Sequence, residues 1–334
     1  MAIRQFLIIN VLNRNPKVSI IIPVYNGSDF LSEAIESALA QSYTNIEILV
    51  INDGSNDGGS TEDIALSYRN RIRYFSKENG GVGSALNLAL KYATGEYISW
   101  LSHDDLYTND KIETQVLTLR QFGNDRAIIY SDYDVFFSDS TQSVLVKIKA
   151  LPPDRFRYSI TIDSLIHGCT LLIPITAFEE SGCFNEALRT TQDYDLWFRM
   201  AEDFEFIHIP YSLVKTRRHS AQGSLLMAEV VFLETNDLKS DFIRKLSPDE
   251  IKRATGESSA VGYARIAAAM WRYNLLAAGK VAASLAIKNL KEASMRDRAR
   301  VNFIVIKEYS RYFTLKCLKM ITTPKLRSIG RGLF

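Results

Sequence analysis

Cysteine is scarce in this chain. Among 334 residues there are three, Cys169, Cys183 and Cys317, and no two have CxxC spacing. So few, odd in number and scattered, they exclude a disulfide framework and a cysteine-based zinc site, and they fit a reducing compartment such as the cytosol. Long apolar runs are missing too. A membrane-spanning helix needs roughly 18 or more apolar residues, and the nearest stretch, Ser164 to Phe178, is shorter and holds Pro174. The run from Phe6 to Leu12 is short and lacks a small-residue cleavage site, so no signal peptide is expected. Charge of one sign is not in excess either. The net charge is +2, which excludes a nucleic-acid binder working by bulk electrostatics. There is no internal repeat and no low-complexity tract.

What is present is enough to bury a large core: 46% of residues are hydrophobic and 23% charged. The length implies two domains, or one large domain with an appendage. Val18 to Pro23 is a continuous, β-branched-rich run, as expected of a strand buried on both faces. A helical pattern follows over Ser28 to Ala40, then a strand at Ile46 to Ile51. Further helices are expected over Thr61 to Tyr68, Val82 to Tyr92 and Asn109 to Phe122, with strands at Ile72 to Phe75, Tyr97 to Leu101 and Ala127 to Tyr130. This alternation implies an α/β fold, a mainly parallel sheet flanked by helices. From about residue 236 strand signals vanish and helical periodicity takes over. "SPDEIKRA" from Ser247 opens with an N-cap, a proline and first-turn acids. The boundaries expected are a short extension over 1–17, an α/β domain over 18–235 and a helical region over 236–334.

In parallel sheets ligands bind beyond the carboxyl ends of the strands, and polar residues collect there. The first strand ends in Pro23-Val24-Tyr25-Asn26, the second in Asn52-Asp53-Gly54-Ser55, the fourth in Ser102-His103-Asp104-Asp105 and the fifth in Ser131-Asp132. Adjacent carboxylates such as Asp104 and Asp105 suit a hard divalent cation shared with substrate phosphates; the plainer reading is an N-cap and a solvated turn. Asp53 is either a turn residue or an acceptor for a nucleobase N–H or ribose hydroxyl. Gly80, Gly81 and Gly83 form either a flexible helix start or a close approach to phosphate. Asp193, in "RTTQDYDLWFRMAE", is either an N-cap or a general base. Arg217 and His219, in "KTRRHS", are a solvated basic turn or partners of phosphate and metal.

The segments "VSIIIPVYNGSDFLSEAIESALAQSYTNIEILVINDGSNDG", "ENGGVGSALNLALKYATGEYISWLSHDD" and "QDYDLW" resemble the family 2 glycosyltransferases with the A-type nucleotide-binding fold, over about residues 18 to 220. The resemblance implies that residues 18–235 form a catalytic domain. It would move a sugar from a nucleoside-diphosphate donor to a hydroxyl of a glycan or lipid-linked acceptor, with inversion, in cell-surface polysaccharide synthesis. It implies nucleoside contacts at Pro23, Tyr25 and Asp53, and Mn²⁺ or Mg²⁺ held by Asp104, Asp105 and His219. Asp104 and Arg217 would meet the diphosphate, and Asp193 would be the base. The chain departs from the family pattern at three points. Ser102 replaces the usual first Asp of the Asp-x-Asp region, Gln192 replaces the Glu beside the base, and Asn52 replaces a common Asp.

Readings of other classes are a glycosidase, which needs no nucleotide site, and a sugar nucleotidyltransferase, which needs a basic glycine loop after its first strand. A non-catalytic nucleotide-sugar-binding or assembly subunit is the rival outside enzymology. The last stretch, Val281 to Phe334, carries twelve Lys or Arg against three acids. They are interleaved with Phe303, Ile304, Ile306, Tyr309, Tyr312, Phe313, Leu315, Leu318 and Met320. Basic residues and aromatics at helical spacing imply either a helix lying in an anionic membrane surface or one packed on the domain with a solvated basic face. The location expected is cytoplasmic, peripheral at the inner leaflet.

Overall fold

Strand β1 (Val18–Val24) is buried along its whole length, because its branched side chains fill the space on both faces of a sheet. The computed structural model describes residues 15–137, 142–164 and 166–322. The Phe6 to Leu12 run and the tail residues Lys325, Arg327 and Arg331 lie outside them, as do the side chains of Leu315, Leu318 and Met320.

The chain forms two compact units, one of residues 1–153 and 165–227, the other of Asp154–Ser164 and Ala228–Phe334. The division falls after Met227, and the second unit also takes residues 154–164.

In the first unit β1 is followed by α1 (Leu31–Leu39), β2 (Ile46–Asp53), α2 (Ser60–Ser67), β3 (Arg73–Lys77), α3 (Val82–Tyr92) and β4 (Tyr97–Trp100). α1 buries Leu31, Ala34, Ile35 and Ala38, the residues spaced to face the sheet. The sheet order is β3-β2-β1-β4-β8, where β8 is Ile173–Pro174. β1, β2, β3 and β4 run parallel, with Ile21 level with Leu49 and Trp100, and β8 is antiparallel to β4. A second sheet has the order β5-β9-β6-β7, from β5 (Leu106–Tyr107), β6 (Ile128–Phe137), β7 (Ser143–Val146) and β9 (Phe206–Arg218). Helices α4 (Lys111–Phe122), α6 (Ile175–Ser181), α7 (Gln192–Met200) and the short α8 (Gly223–Leu226) complete the unit; α5 (Pro153–Ile162) opens the first segment of the other.

One element departs clearly from the sequence pattern. The fifth strand does not end at Tyr130 but runs on to Phe137. Asp132, which reads as a polar strand end, is satisfied locally, as is Asp134 further along the strand. Asp132 accepts from Ile148 N at 2.8 Å and pairs with His208 at 2.7 Å, and Asp134 accepts from Ser212 Oγ at 2.7 Å. Asp132 therefore does not join the edge where the other carboxylates collect.

The second unit continues with α9 (Ala228–Lys245), α10 (Pro248–Thr255), α11 (Ser259–Arg272), α12 (Leu276–Lys288) and α13 (Met295–Thr322). The N-cap read at Ser247 is present and is part of a capping box: its hydroxyl accepts from Glu250 N, and Glu250 bonds back to Ser247 N. Small residues let the helices approach. A Cβ on Gly279 would lie 2.1 Å from Trp271 Nε1, and one on Gly262 2.1 Å from Ile251 Cγ2.

Candidate active site

The first three strands step outward from β1, and the chain then returns to lay β4 on the other side of β1. That reversal puts a topological switch point between β1 and β4, beyond whose carboxyl ends open parallel sheets bind ligands. β1 delivers buried Pro23 and, just past its end, exposed Tyr25. Asn26, at φ 49°, donates its backbone N–H to Ser55 Oγ, which ties the end of β1 to that of β2. Gly27 lets the start of α1 close on the fourth strand end, since a Cβ there would sit 2.5 Å from the His103 ring.

Asp53 ends β2, and its buried carboxylate organises the glycine loop. It accepts from Gly80 N at 3.0 Å and Gly81 N at 2.7 Å, and it pairs with Lys77 Nζ at 2.8 Å. The glycines thus bring backbone N–H groups to a carboxylate of the chain itself.

Asp104 and Asp105 stand where β4 leaves the first sheet and β5 enters the second, facing the end of β9. Arg217 holds the turn: its backbone N donates to Asp105 Oδ1 at 3.0 Å and its Nε to the Asp104 carbonyl at 3.0 Å. Its Nη2 meets Glu33 of α1 at 2.8 Å, and its guanidinium lies between the rings of Phe30 and Phe136, at 4.3 and 4.6 Å. His219 Nε2 lies 3.0 Å from Asp104 Oδ2, and its ring packs on Phe30. On the other side of the turn, Asp105 Oδ2 lies 3.7 Å from His167 Nε2 and accepts from Cys169 Sγ at 3.4 Å. Burial first, then the charge of Asp104, pushes the Asp105 carboxyl up to about 8. Burial holds His167 down at about 4 and raises the Cys169 thiol well above its ordinary value.

Asp193 lies in the first turn of α7, whose N-cap position is taken by Thr191. It is partly exposed, its Oδ1 accepts from Tyr194 N at 2.8 Å, and burial raises its carboxyl to about 6. Two bridges tie this helix start to the rest of the site. Gln192 packs against Gly83, next to the glycine loop that Asp53 holds. The hydroxyl of Tyr194 bonds both the N–H and the carbonyl of Ile166, the neighbour of His167. Further along α7, Trp197 packs on Phe184, which packs on Trp100 of β4.

The family model described as glycosyl transferase family 2 matches residues 19–176. An uncharacterized glycosyltransferase of Rickettsia typhi is 46% identical over 253 residues, 73% of this chain and 77% of that protein. The chain belongs to glycosyl transferase family 2. An uncharacterized glycosyltransferase of Rickettsia felis is 52% identical over 242 residues, but the match spans 71% of this chain and only 40% of that protein. A hyaluronan synthase of Pasteurella multocida is 33% identical over 202 residues, 59% of this chain and 20% of that protein. Among solved structures, S. aureus TarS 1–349 in complex with UDP superposes with a TM-score of 0.57 at 16% identity, covering 94% of each chain. A Pyrobaculum calidifontis mannosyltransferase in complex with GDP-Man and Mn²⁺ does so with 0.52 at 15%, covering 97% and 95%. These two likenesses show a shared fold, and the α/β architecture with helices after it is the one expected from the sequence.

For a family 2 glycosyltransferase the question of a divalent ion turns on the donors present. Two adjacent carboxylates supply the oxygen ligands that Mg²⁺ and Mn²⁺ prefer. The 3.0 Å between His219 Nε2 and Asp104 Oδ2 is the spacing that two neighbouring ligands of an octahedral ion with bonds of about 2.1 Å would make. His167 Nδ1 is buried without a hydrogen-bond partner, and Asp105, His167 and Cys169 have ligand atoms within 4.8 Å of one another. The residues fit a divalent cation. Imidazole beside carboxylate suits Mn²⁺, whereas a neutral, soft thiol does not. Cys169 instead supports the turn, its sulfur accepting from Ser102 N at 3.2 Å.

The structure brings Asp104, Asp105, Arg217 and His219 into one cluster, with Pro23, Tyr25 and Asp53 on neighbouring strand ends. It adds four residues the motifs did not flag: Glu33, Phe30, His167 and Cys169. "IHGCTLLIP" carried a signal, since His167 and Cys169 precede an apolar run much as His103 follows one. Glu33 and Phe30 read as ordinary positions of an amphipathic helix, and nothing in their spacing points to Arg217.

Proposed function

We propose that this chain is a metal-dependent, inverting transferase. It would move a sugar, a hexose-type unit, from a nucleoside-diphosphate donor to a hydroxyl of a glycan or lipid-linked acceptor, in cell-surface polysaccharide synthesis. The observation that carries the reading is the pair Asp104 and Asp105 at the β1–β4 switch point, clamped by Arg217 and flanked by His219 and His167. The printed names of relatives support it: TarS structures hold UDP and UDP-GlcNAc, and a hyaluronan synthase is 33% identical. Because the chain covers 40% of the R. felis relative's length, these are readings of this chain's own site. Few, scattered cysteines fit a cytoplasmic setting, where such donors are made.

Pro23, Tyr25 and Asp53 would hold the nucleoside. Asp53 keeps acceptor capacity, since a carboxylate offers about four lone-pair sites and three are engaged. Asp104, Asp105 and His219 would hold Mn²⁺ or Mg²⁺, which when bound neutralises charge growing on the leaving diphosphate. Arg217 keeps that turn in shape and adds positive charge beside it. Asp193 takes the proton of the acceptor hydroxyl. That oxygen forms the new bond to the anomeric carbon while the bond to the diphosphate oxygen breaks on the opposite face. A carboxyl raised to about 6 is a stronger base than an ordinary one and is still ionised at neutral pH.

The test is a thermal-shift screen of nucleoside diphosphates with and without Mn²⁺, followed by donor turnover across an acceptor panel. A true donor nucleotide stabilises by mass action. Stabilisation with Mn²⁺ but no turnover on any acceptor supports the non-catalytic subunit instead. No stabilisation by any nucleotide overturns both readings.

A further inference from the structure

Helix α13 is apolar on two opposite faces. One is the face it needs: Val301, Glu308 and Tyr312 are buried, and Tyr309 packs on Trp271 of α11. With 3.6 residues per turn, the opposite face carries Met295, Ala299, Phe303, Ile306 and Phe313. There Met295 is 80% exposed, Phe303 65%, Ile306 65% and Phe313 43%. A single exposed apolar side chain needs no explanation, but an aligned row of large ones on a helix already anchored by its other side does.

The charges around this row have one sign. Arg296, Arg300, Lys307 and Arg311 run along one border of the row by the same periodicity. Two of these four cations are already engaged, Arg300 also meeting Glu257 at 2.6 Å, and the border charges outside these pairs are Arg296 and Lys307. Asp297 pairs with Arg300, and Glu308 is buried against Arg272 and Arg311. Lys307 lies over the Phe303 ring with its ammonium 5.5 Å from the centroid, so its stem covers apolar surface while its charge faces out.

An aromatic and aliphatic strip edged by cations, with the nearby carboxylates already neutralised, is complementary to an acyl-chain boundary under anionic headgroups. We infer that α13 docks the second unit on an anionic lipid surface. Met295, Phe303 and Ile306 enter the headgroup boundary, and Arg296 and Lys307 lie against the lipid phosphates. The helix lies on the surface and does not cross it; no described helix is long and apolar enough to span a membrane. The inference rests on this face alone and not on the transferase reading.

The experiment is co-sedimentation of the full chain with vesicles of pure phosphatidylcholine, and of phosphatidylcholine mixed with phosphatidylglycerol, at low and high salt. The chain partitions onto the anionic vesicles at low salt, and high salt weakens this. The variant Phe303→Ser/Ile306→Ser, whose sites are each 65% exposed, keeps its melting temperature and loses vesicle affinity by more than about tenfold. Nucleotide-induced thermal shift, recorded on the same samples, is unchanged in this variant, so failure of the active-site reading and failure of the docking reading are told apart. Equal binding by wild type and variant overturns the inference, as does equal binding to neutral vesicles. So does a wild-type dimer in sedimentation velocity that ignores vesicles and dissociates in the variant, which would assign the row to a second copy of the chain.

Discussion

Replacing Asp193 by Asn should slow the enzyme and stabilise it at once. Asn keeps the shape and the acceptor for Tyr194 N–H but cannot take a proton. Loss of a general base typically lowers the rate about 10²–10⁴-fold, while donor binding, which depends on other residues, should be unchanged. The stability effect follows from the raised carboxyl. With a folded value of about 6 against an ordinary 3.8, the folded state disfavours the ionised form. The stability tied to this proton is fully present below the unfolded value and is lost as pH rises through about 6. Full burial would make the penalty at neutral pH about 3 kcal/mol, at 1.36 kcal/mol per pH unit. Asp193 is partly exposed, so solvent screening reduces this to about 1–2 kcal/mol. Asp193→Asn should therefore unfold at higher urea than wild type at pH 7, and at the same urea at pH 3.5. Wild-type kcat/KM should rise through about pH 6 on its acid side, and this limb should vanish in the variant. Assays are donor turnover against pH and urea unfolding at two pH values. A variant with wild-type kcat, or one less stable than wild type at pH 7, would refute the argument and move the base elsewhere, with Asp195 the next carboxylate to test.

Asp104→Ala should abolish transfer and remove the Mn²⁺ dependence of nucleotide binding measured by thermal shift; normal turnover in the presence of chelator would show that no metal is held there. Gly168→Ala would put a Cβ 2.4 Å from the Trp100 ring, so it should destabilise by about 1–3 kcal/mol and weaken nucleotide binding, because His167 and Cys169 flank it; an unchanged urea midpoint would contradict the packing described. Buried Lys111 and Lys239 are both held near 7 by desolvation. Their folded values lie below the unfolded 10.5, so the unfolded chain binds more protons between these limits and stability rises with pH across that window. Lys239→Met should flatten this rise in urea midpoints between pH 8 and 10, and an unaltered slope would count against it.

Much of the first unit was legible because its signals are local. A β-branched run such as Val18 to Pro23 fits a doubly covered strand, and the carboxylate-bearing ends of the second and fourth strands converge by topology. Asp132 misled for the reverse reason. Its partners, Ile148 N just past β7 and His208 of β9, come from distant segments, and a polar residue looks like a strand end until its partner is known. The fixing of Asp104 and Asp105 was illegible for the same cause. Arg217 was noticed as a charge near phosphate, but its contacts with Glu33, Phe30 and Phe136 come from distant segments whose pattern states only that they are helix or strand. His167 and Cys169 sit in an apolar stretch where composition speaks of core, and their closeness to Asp105 depends on how β8 turns back along β4.

The bond from Arg217 N to Asp105 joins residues 112 positions apart. Contacts of such long sequence separation form only after the intervening chain has been ordered, and folds dominated by them reach the native state slowly. The clamp on the carboxylate turn therefore needs β9 in place beside β6 and β5. During synthesis the ends of β1 and β2 and the glycine loop, built from residues before Lys91, emerge well ahead of the clamp on Asp104 and Asp105. A ribosome-bound chain that stops short of β9 would own both carboxylates without the Arg217 clamp, with His167 and Cys169 beside Asp105.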